Sequence, residues 1–428
     1  MTHAELLARH RAVLPSWLAL YYDEPIALVD GQGCRVVDAE GRRYLDFFGG
    51  ILTTMIGYNV PEVVEAVREQ AGRMVHTSTL YLIEPMIELA ERIAAVSGIP
   101  DAKVFFTNSG TEANEAALLL ATTARRSNQV LALRNSYHGR SYAAMGVSGN
   151  RSWSASSLTP VNVTYVHGGY RYRGPFRDLD DKDYIRACVD DLRDLLAIAT
   201  AGDVACMIAE PIQGVGGFAT PPDGLFGAMR EVLDEHGILF VSDEVQTGWG
   251  RTGEHFWGIQ AHGVIPDAMT FAKGLGNGLA IGGVVARGDL MDCVTANSIS
   301  TFGGNPLASR AALATLDYVL SHDLQANAHK TGSRLRQGLE AVAARCPMVG
   351  DVRGKGLMMG VELVEPGSTE PDPGAATQVL EEARRGGLLL GKGGLRGNVL
   401  RIAPPLAVSE AEIDEGLGIL GTAMEGAR

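Results

Sequence analysis

The chain has 428 residues, 46% hydrophobic and 20% charged, with a formal charge of −13. That length suits two or three domains with a large core, and the acidic balance argues against nucleic acid as a partner. The five scattered cysteines (Cys34, Cys188, Cys206, Cys293 and Cys346) make neither a disulfide framework nor a zinc pattern, which fits reduced thiols in a cytoplasmic protein.

The opening segment MTHAELLARHRAVLPSW lacks the apolar run of a secretory signal, and no apolar stretch is long enough to span a membrane. Residues 21–50 read as short strands, with turns expected at Asp30-Gly31 and Glu40-Gly41 between β-branched and aromatic runs. From Pro61 the apolar period becomes helical (Val63, Val67, Ala71, Met74). A second helix follows Pro85 through Leu89, Ile93 and Val96.

Between residues 103 and 287, strands and helices alternate. The strand candidates are KVFFT, QVLALR, VTYVH, VACMIAE, ILFVSDEV, AMTFAK and GGVVAR. Near-continuous apolar runs suit strands buried on both faces of a doubly wound, mainly parallel sheet. After Asn305-Pro306 one long helical pattern runs to about residue 345. VGDVRGKGLMMGVELV then reads as strand, turn, strand. NVLRIAPPLAV gives a further strand and a final helix ends the chain. The expected organisation is a segment 1–55 of helix and short strands that joins the small domain, a large α/β domain at 56–305, and a small α+β domain at 306–428.

In open α/β sheets, ligands bind beyond the carboxyl ends of the strands. ILFVSDEV ends with Asp243, and AMTFAK ends with Lys273 thirty positions later. Such a pair fits a structural ion bridge. It equally fits pyridoxal-5′-phosphate (PLP) chemistry, in which a lysine forms an imine with the cofactor aldehyde and an aspartate keeps a proton on the pyridine nitrogen. Ser109, Gly110 and Thr111 open a helix after a strand, which suits a phosphate at the helix N-terminus; Ser109 and Glu112 also fit a capping box. Tyr137, at another strand end, can stack on a flat ring with Val245 on the opposite face. His138 is expected to support that loop. Glu210 ends the strand VACMIAE, and Arg401 sits alone in an apolar strand, as a salt-bridge partner or as a clamp for a substrate carboxylate. GWGRTG at 248–253 imitates a dinucleotide fingerprint, but DEVQT separates it from the strand end and no carboxylate follows at the required distance. The ten histidines show no metal spacing.

Together LFVSDEVQTGWGRTG, PDAMTFAKGLGNG, NSGTEANEAA, SYHGR, AEPIQG and TFGGNP resemble, in order, the class III, fold-type I PLP aminotransferases. HTSTLY, DVRGKGLMMGVEL and LRIAPPL are similar to the alanine–glyoxylate and β-amino acid members. The resemblance implies that Lys273 is the Schiff-base lysine, Asp243 the pyridinium partner and Gln246 a hydrogen-bond partner of the ring hydroxyl. It implies that Val245 and Tyr137 enclose the ring and that Ser109, Gly110 and Thr111 hold the phosphate. It also implies a homodimer or dimer of dimers, with Thr301 reaching the neighbouring subunit's phosphate site, and makes Glu210 and Arg401 a gating pair that closes when no substrate carboxylate is bound. Two departures stand out: Tyr58 where the family commonly has histidine, and FGGIL at 48–52 along the substrate entrance. The implied reaction moves an amino group from alanine or a β/ω-amino acid to pyruvate or glyoxylate by a ping-pong route. Its rivals are an aminotransferase for another ω-amino compound, an aminomutase, racemase or decarboxylase on the same scaffold, and a non-catalytic PLP-binding protein.

Overall fold

The computed structural model describes residues 3–427. Its centre is a seven-stranded sheet built from the seven expected runs: Ala102–Thr107, Gln129–Leu133, Asn162–Val166, Cys206–Ala209, Leu239–Asp243, Ala268–Phe271 and Gly282–Arg287. Five neighbouring strands, from Asn162–Val166 to Ala268–Phe271, pair in parallel. Gly282–Arg287 is inserted antiparallel between Ala268–Phe271 and Ala102–Thr107. Side chains alternate across a strand, so each face of the sheet feeds its own core. Leu131 and Leu133 enter one apolar cluster with Met207, Phe240 and Phe271. Val130 and Ala132 enter the other with Ile208, Val241 and the helix residues Ala113 and Ala117.

Two smaller sheets lie outside this layer. Leu28–Gln32, Arg35–Asp38 and Arg43–Asp46 form an antiparallel meander that Leu388–Leu389 extends in parallel, so the N-terminal strands do join a C-terminal element. Val349–Lys355, Met358–Leu363, Val399–Ile402 and Gly391–Gly393 make an antiparallel sheet. The first expected turn is displaced. Asp30 and Gly31 lie inside a strand, and the chain reverses at Gly33, whose φ is 57°. The long helical pattern after Pro306 is two helices, Pro306–Ser321 and Leu324–Ala343, separated where Asp323 takes a left-handed φ of 46°. Asp323 then caps the second helix through the Ala326 amide, a role that short acidic side chains perform well.

The glycine-rich GWGRTG segment is a packing loop. Arg251 is fully buried, with its guanidinium on the carbonyls of Leu357 and Pro404, and the loop approaches Gln325 and His329 of the Leu324–Ala343 helix. Among the described residues, no helix is long and apolar enough to cross a membrane.

Candidate active site

Five strand ends converge on one cavity of about 360 Å³. Strand pairing aligns Asp243 with Thr270 and Ser242 with Ala209, so Asp243, Lys273 and Glu210 leave adjacent strands on the same edge. All the expected site residues line the cavity except Thr301 and Arg401. Thr301 is exposed on this chain, in the segment before the Pro306 helix. Arg401 is buried in the Val399–Ile402 strand of the outer sheet.

Asp243 is 4% exposed, and its carboxylate is held from three sides. Oδ2 accepts from Asn114 Nδ2 at 2.8 Å and lies 2.7 Å from His138 Nδ1. Oδ1 accepts the Val245 amide at 3.1 Å. Asn114 cannot turn over, because Thr270 Oγ1 donates to its Oδ1 at 2.7 Å while its Nδ2 also donates to the His138 carbonyl at 2.7 Å. A buried anion is tolerated where donors are arranged around it in advance. Asn114 went unnoticed in the sequence because it looks like any polar residue of a helix; only its inward direction distinguishes it. His138 does more than support its loop, since its ring touches the aspartate.

Lys273 follows the Ala268–Phe271 strand with a left-handed φ of 44°. Burial pushes its ammonium pKa down, and the carboxylates of Asp243 and Glu210 oppose that shift. An amine that is readily uncharged is what imine formation and proton shuttling require. At the helix Gly110–Arg125, Ser109 is the N-cap and accepts the Glu112 amide at 3.2 Å. Glu112 reaches back to the Asn108 amide at 2.7 Å, one residue short of a closed capping box. The first amides of that helix, on Gly110 and Thr111, have no acceptor within the helix and line the cavity. A side chain at Gly110 would stand 3.1 Å from Val245 and close this corner.

Glu210 and Arg401 do not form the expected pair. Glu210 Oε1 accepts the Tyr137 amide and Oε2 the Gly214 amide, each at 2.8 Å, so both oxygens are engaged on the cavity side. Burial pushes its carboxyl up to about 7. Arg401 makes no ion pair among the described residues. Its Nη1 donates to the Gly214 carbonyl at 3.3 Å, its Nε is buried without a partner, and its guanidinium lies 4.8 Å from the Phe48 ring and 5.7 Å from the Phe218 ring. Two backbone amides and two aromatic faces have replaced the salt bridge.

Comparison with known proteins decides the family. The chain matches the class-III aminotransferase family over residues 20–424. The chain belongs to the class III aminotransferases. The enzyme is 40% identical to alanine–glyoxylate aminotransferase 2 homolog 2 of Arabidopsis thaliana, a mitochondrial protein, over 96% of this chain and 85% of that one. It superposes on an (S)-enantioselective ω-transaminase from Thermomicrobium roseum with a TM-score of 0.91 at 33% identity, covering 100% and 99% of the two chains. A PLP-bound amine transaminase from an uncultivated Pseudomonas species gives the same TM-score at 31% identity, covering 97% and 98%. The aminotransferase therefore has the fold-type I architecture and depends on PLP. The cavity suits that cofactor: His138 Nε2 and Gln246 Oε1 are buried polar atoms with no protein partner, and a helix N-terminus faces the same space as the lysine.

Proposed function

We propose that the enzyme transfers an amino group from alanine or a β- or ω-amino acid to a 2-oxo acid such as pyruvate or glyoxylate by a ping-pong mechanism. The observation that carries this reading is Arg401, a buried guanidinium with no carboxylate partner among the described residues and with its Nε unpartnered. Such a group is costly unless it receives an anion, and its planar fork suits a substrate carboxylate. Because Glu210 is engaged by the Tyr137 and Gly214 amides, a substrate carboxylate has no Glu210 to displace from Arg401. The similarity to an alanine–glyoxylate aminotransferase supports the same substrate class.

In this reading Ser109, Gly110 and Thr111 hold the cofactor phosphate, and Tyr137 and Val245 bound the two ring faces. Gln246 meets the ring hydroxyl. When bound, PLP takes up the electron pair left as the substrate carbon loses a proton. Asp243, with Asn114 and His138 behind it, keeps the pyridine nitrogen protonated. Lys273 would take the proton from the donor carbon and deliver it to the cofactor's C4′ carbon, on the far side of the shared nitrogen. Glu210 holds the Tyr137 and Gly214 amides in place beside the substrate. The enzyme works as a homodimer in which Thr301 of each subunit reaches the other's phosphate site. The exposed Leu80, Leu82, Ile299 and Phe302, from 58% to 94% accessible, supply apolar surface for that contact.

Single-turnover rates with L-alanine, β-alanine, pyruvate and glyoxylate test the assignment in both directions. Arg401→Ala is expected to cost roughly 2–5 kcal/mol in the pyruvate half-reaction. An equal loss with an aldehyde acceptor that lacks a carboxylate would show that the arginine is structural.

A further inference from the structure

Behind Arg401 lies a chain of contacts that ends at Tyr58, one of the two departures from the family pattern. We propose that Asp46 and Tyr58 are positioning residues that press the Phe48 ring against Arg401 and so set the aperture of the carboxylate subsite. This rests on the reading of Arg401 as the carboxylate receptor.

Asp46 ends the Arg43–Asp46 strand, is 3% exposed and forms no ion pair among the described residues. Its carboxylate is satisfied by three donors. Oδ2 accepts the Tyr58 hydroxyl at 2.6 Å; Oδ1 accepts the amides of Phe48 at 2.8 Å and Gly49 at 3.0 Å. Burial pushes this carboxyl upward while the three donors oppose it. Tyr58 is anchored in turn by a two-way backbone bridge, with the Tyr58 amide on the Gly33 carbonyl at 2.8 Å and the Gly33 amide on the Tyr58 carbonyl at 3.0 Å. The hydroxyl therefore fixes the rotation of the carboxylate, and the carboxylate fixes where the next turn begins.

That turn is unusual. Gly49, Gly50, Ile51 and Leu52 all lie in the left-handed region, with φ of 54°, 59°, 67° and 61°. Glycine adopts this freely. A β-branched isoleucine does not, and successive residues of this kind persist only where surrounding contacts over-determine them. Here the Leu52 amide bonds the Phe48 carbonyl at 2.9 Å and the Thr53 amide bonds the Gly49 carbonyl at 2.7 Å. The turn starts at Phe48, the wall of Arg401, and ends at Thr53, which lines the catalytic cavity. Phe48 is confined on its remaining sides by the edge of Tyr21 at 5.8 Å and by Gly391, where a side chain would come within 2.2 Å of the ring. Freeing Asp46 removes the constraint that holds the left-handed path, and Phe48 moves off the guanidinium.

The test uses the holoenzyme with pyruvate and with propanal, an acceptor of equal length that lacks the carboxylate. Tyr58→Phe is expected to raise KM for pyruvate about tenfold, the equivalent of one hydrogen bond to a charged group, with little change in kcat and a much smaller shift for propanal. Asp46→Asn keeps an acceptor for the two amides and lets the hydroxyl turn round, so it is expected to show the same split at smaller size. Arg401→Ala, measured alongside, is expected to separate the two acceptors most strongly. If Arg401→Ala separates them while Tyr58→Phe and Asp46→Asn shift both alike or neither, the positioning role is wrong. If Arg401→Ala itself fails to separate them, the carboxylate receptor is wrong and the inference falls with it.

Discussion

Replacing Asp243 by asparagine perturbs two quantities that can be measured apart. The surroundings of Asp243 are all donors: Asn114 Nδ2 at 2.8 Å, the Val245 amide at 3.1 Å, and His138 Nδ1 at 2.7 Å when that nitrogen carries its proton. Asn114 cannot adapt, because Thr270 Oγ1 occupies its carbonyl oxygen. An amide at 243 therefore sets its NH2 against Asn114 in one orientation and against the Val245 amide in the other. One buried donor goes unsatisfied either way, at about 1–3 kcal/mol of stability. The second loss is the fixed negative charge that, in the proposed reading, would face the pyridine nitrogen. By analogy with other preorganised charges, its removal costs about 3 kcal/mol in the transition state, on the order of a hundred- to a thousandfold in rate. The assay is a stopped-flow half-reaction with L-alanine, followed by the visible absorbance of the lysine-bound cofactor, alongside thermal unfolding. Full cofactor occupancy with a rate within about tenfold of wild type would refute the charge argument, whatever happened to Tm.

Lys273→Ala is expected to abolish steady-state turnover and remove the visible absorption of lysine-bound PLP; a normal spectrum would mean that another lysine carries the cofactor. Mixing Thr301→Ala with Lys273→Ala subunits is expected to restore activity, because one site of a mixed dimer then carries both defects and the other neither. No recovery after proven subunit exchange would end the shared-site proposal. Glu210, ordinarily near 4.5, is pushed up to about 7, so its contribution to stability is present below its unfolded pKa and lost as pH rises through about 7. Cofactor-free wild type is therefore expected to lose Tm relative to Glu210→Gln between about pH 5 and pH 8, and parallel curves would show that the carboxyl stays ionised.

Much of the architecture was legible as pattern. The seven apolar runs became the seven strands because a strand buried on both faces has few other compositions available. Direction was not legible: Gly282–Arg287 runs antiparallel, and nothing in GGVVAR distinguishes it from its parallel neighbours. The site residues stood at strand ends, where they could be read, but the aim of their side chains could not. Glu210 reads equally well as a partner for Arg401 or for two backbone amides, and only the fold of residues 210–214 decides for the amides. Asn114 is hidden for a similar reason, on the inward side of a helix. The break at Asp323 and the left-handed run at 49–52 lie beyond periodicity arguments because they depend on contacts from distant segments.

The left-handed backbone of Lys273 has a consequence for how this enzyme can drift. A non-glycine residue there carries about 1–2 kcal/mol of strain, and partial desolvation of the half-buried amine adds a penalty to it. Glycine at 273 would relieve both. Under the proposed mechanism, the most damaging substitution for the chemistry is thus one that relieves strain in the bare scaffold, and selection for heat tolerance in cofactor-free protein would steadily discard the proposed Schiff-base lysine. Screens for robust variants of this enzyme must be run with PLP present and with activity as the gate, or they will collect well-folded proteins that catalyse nothing.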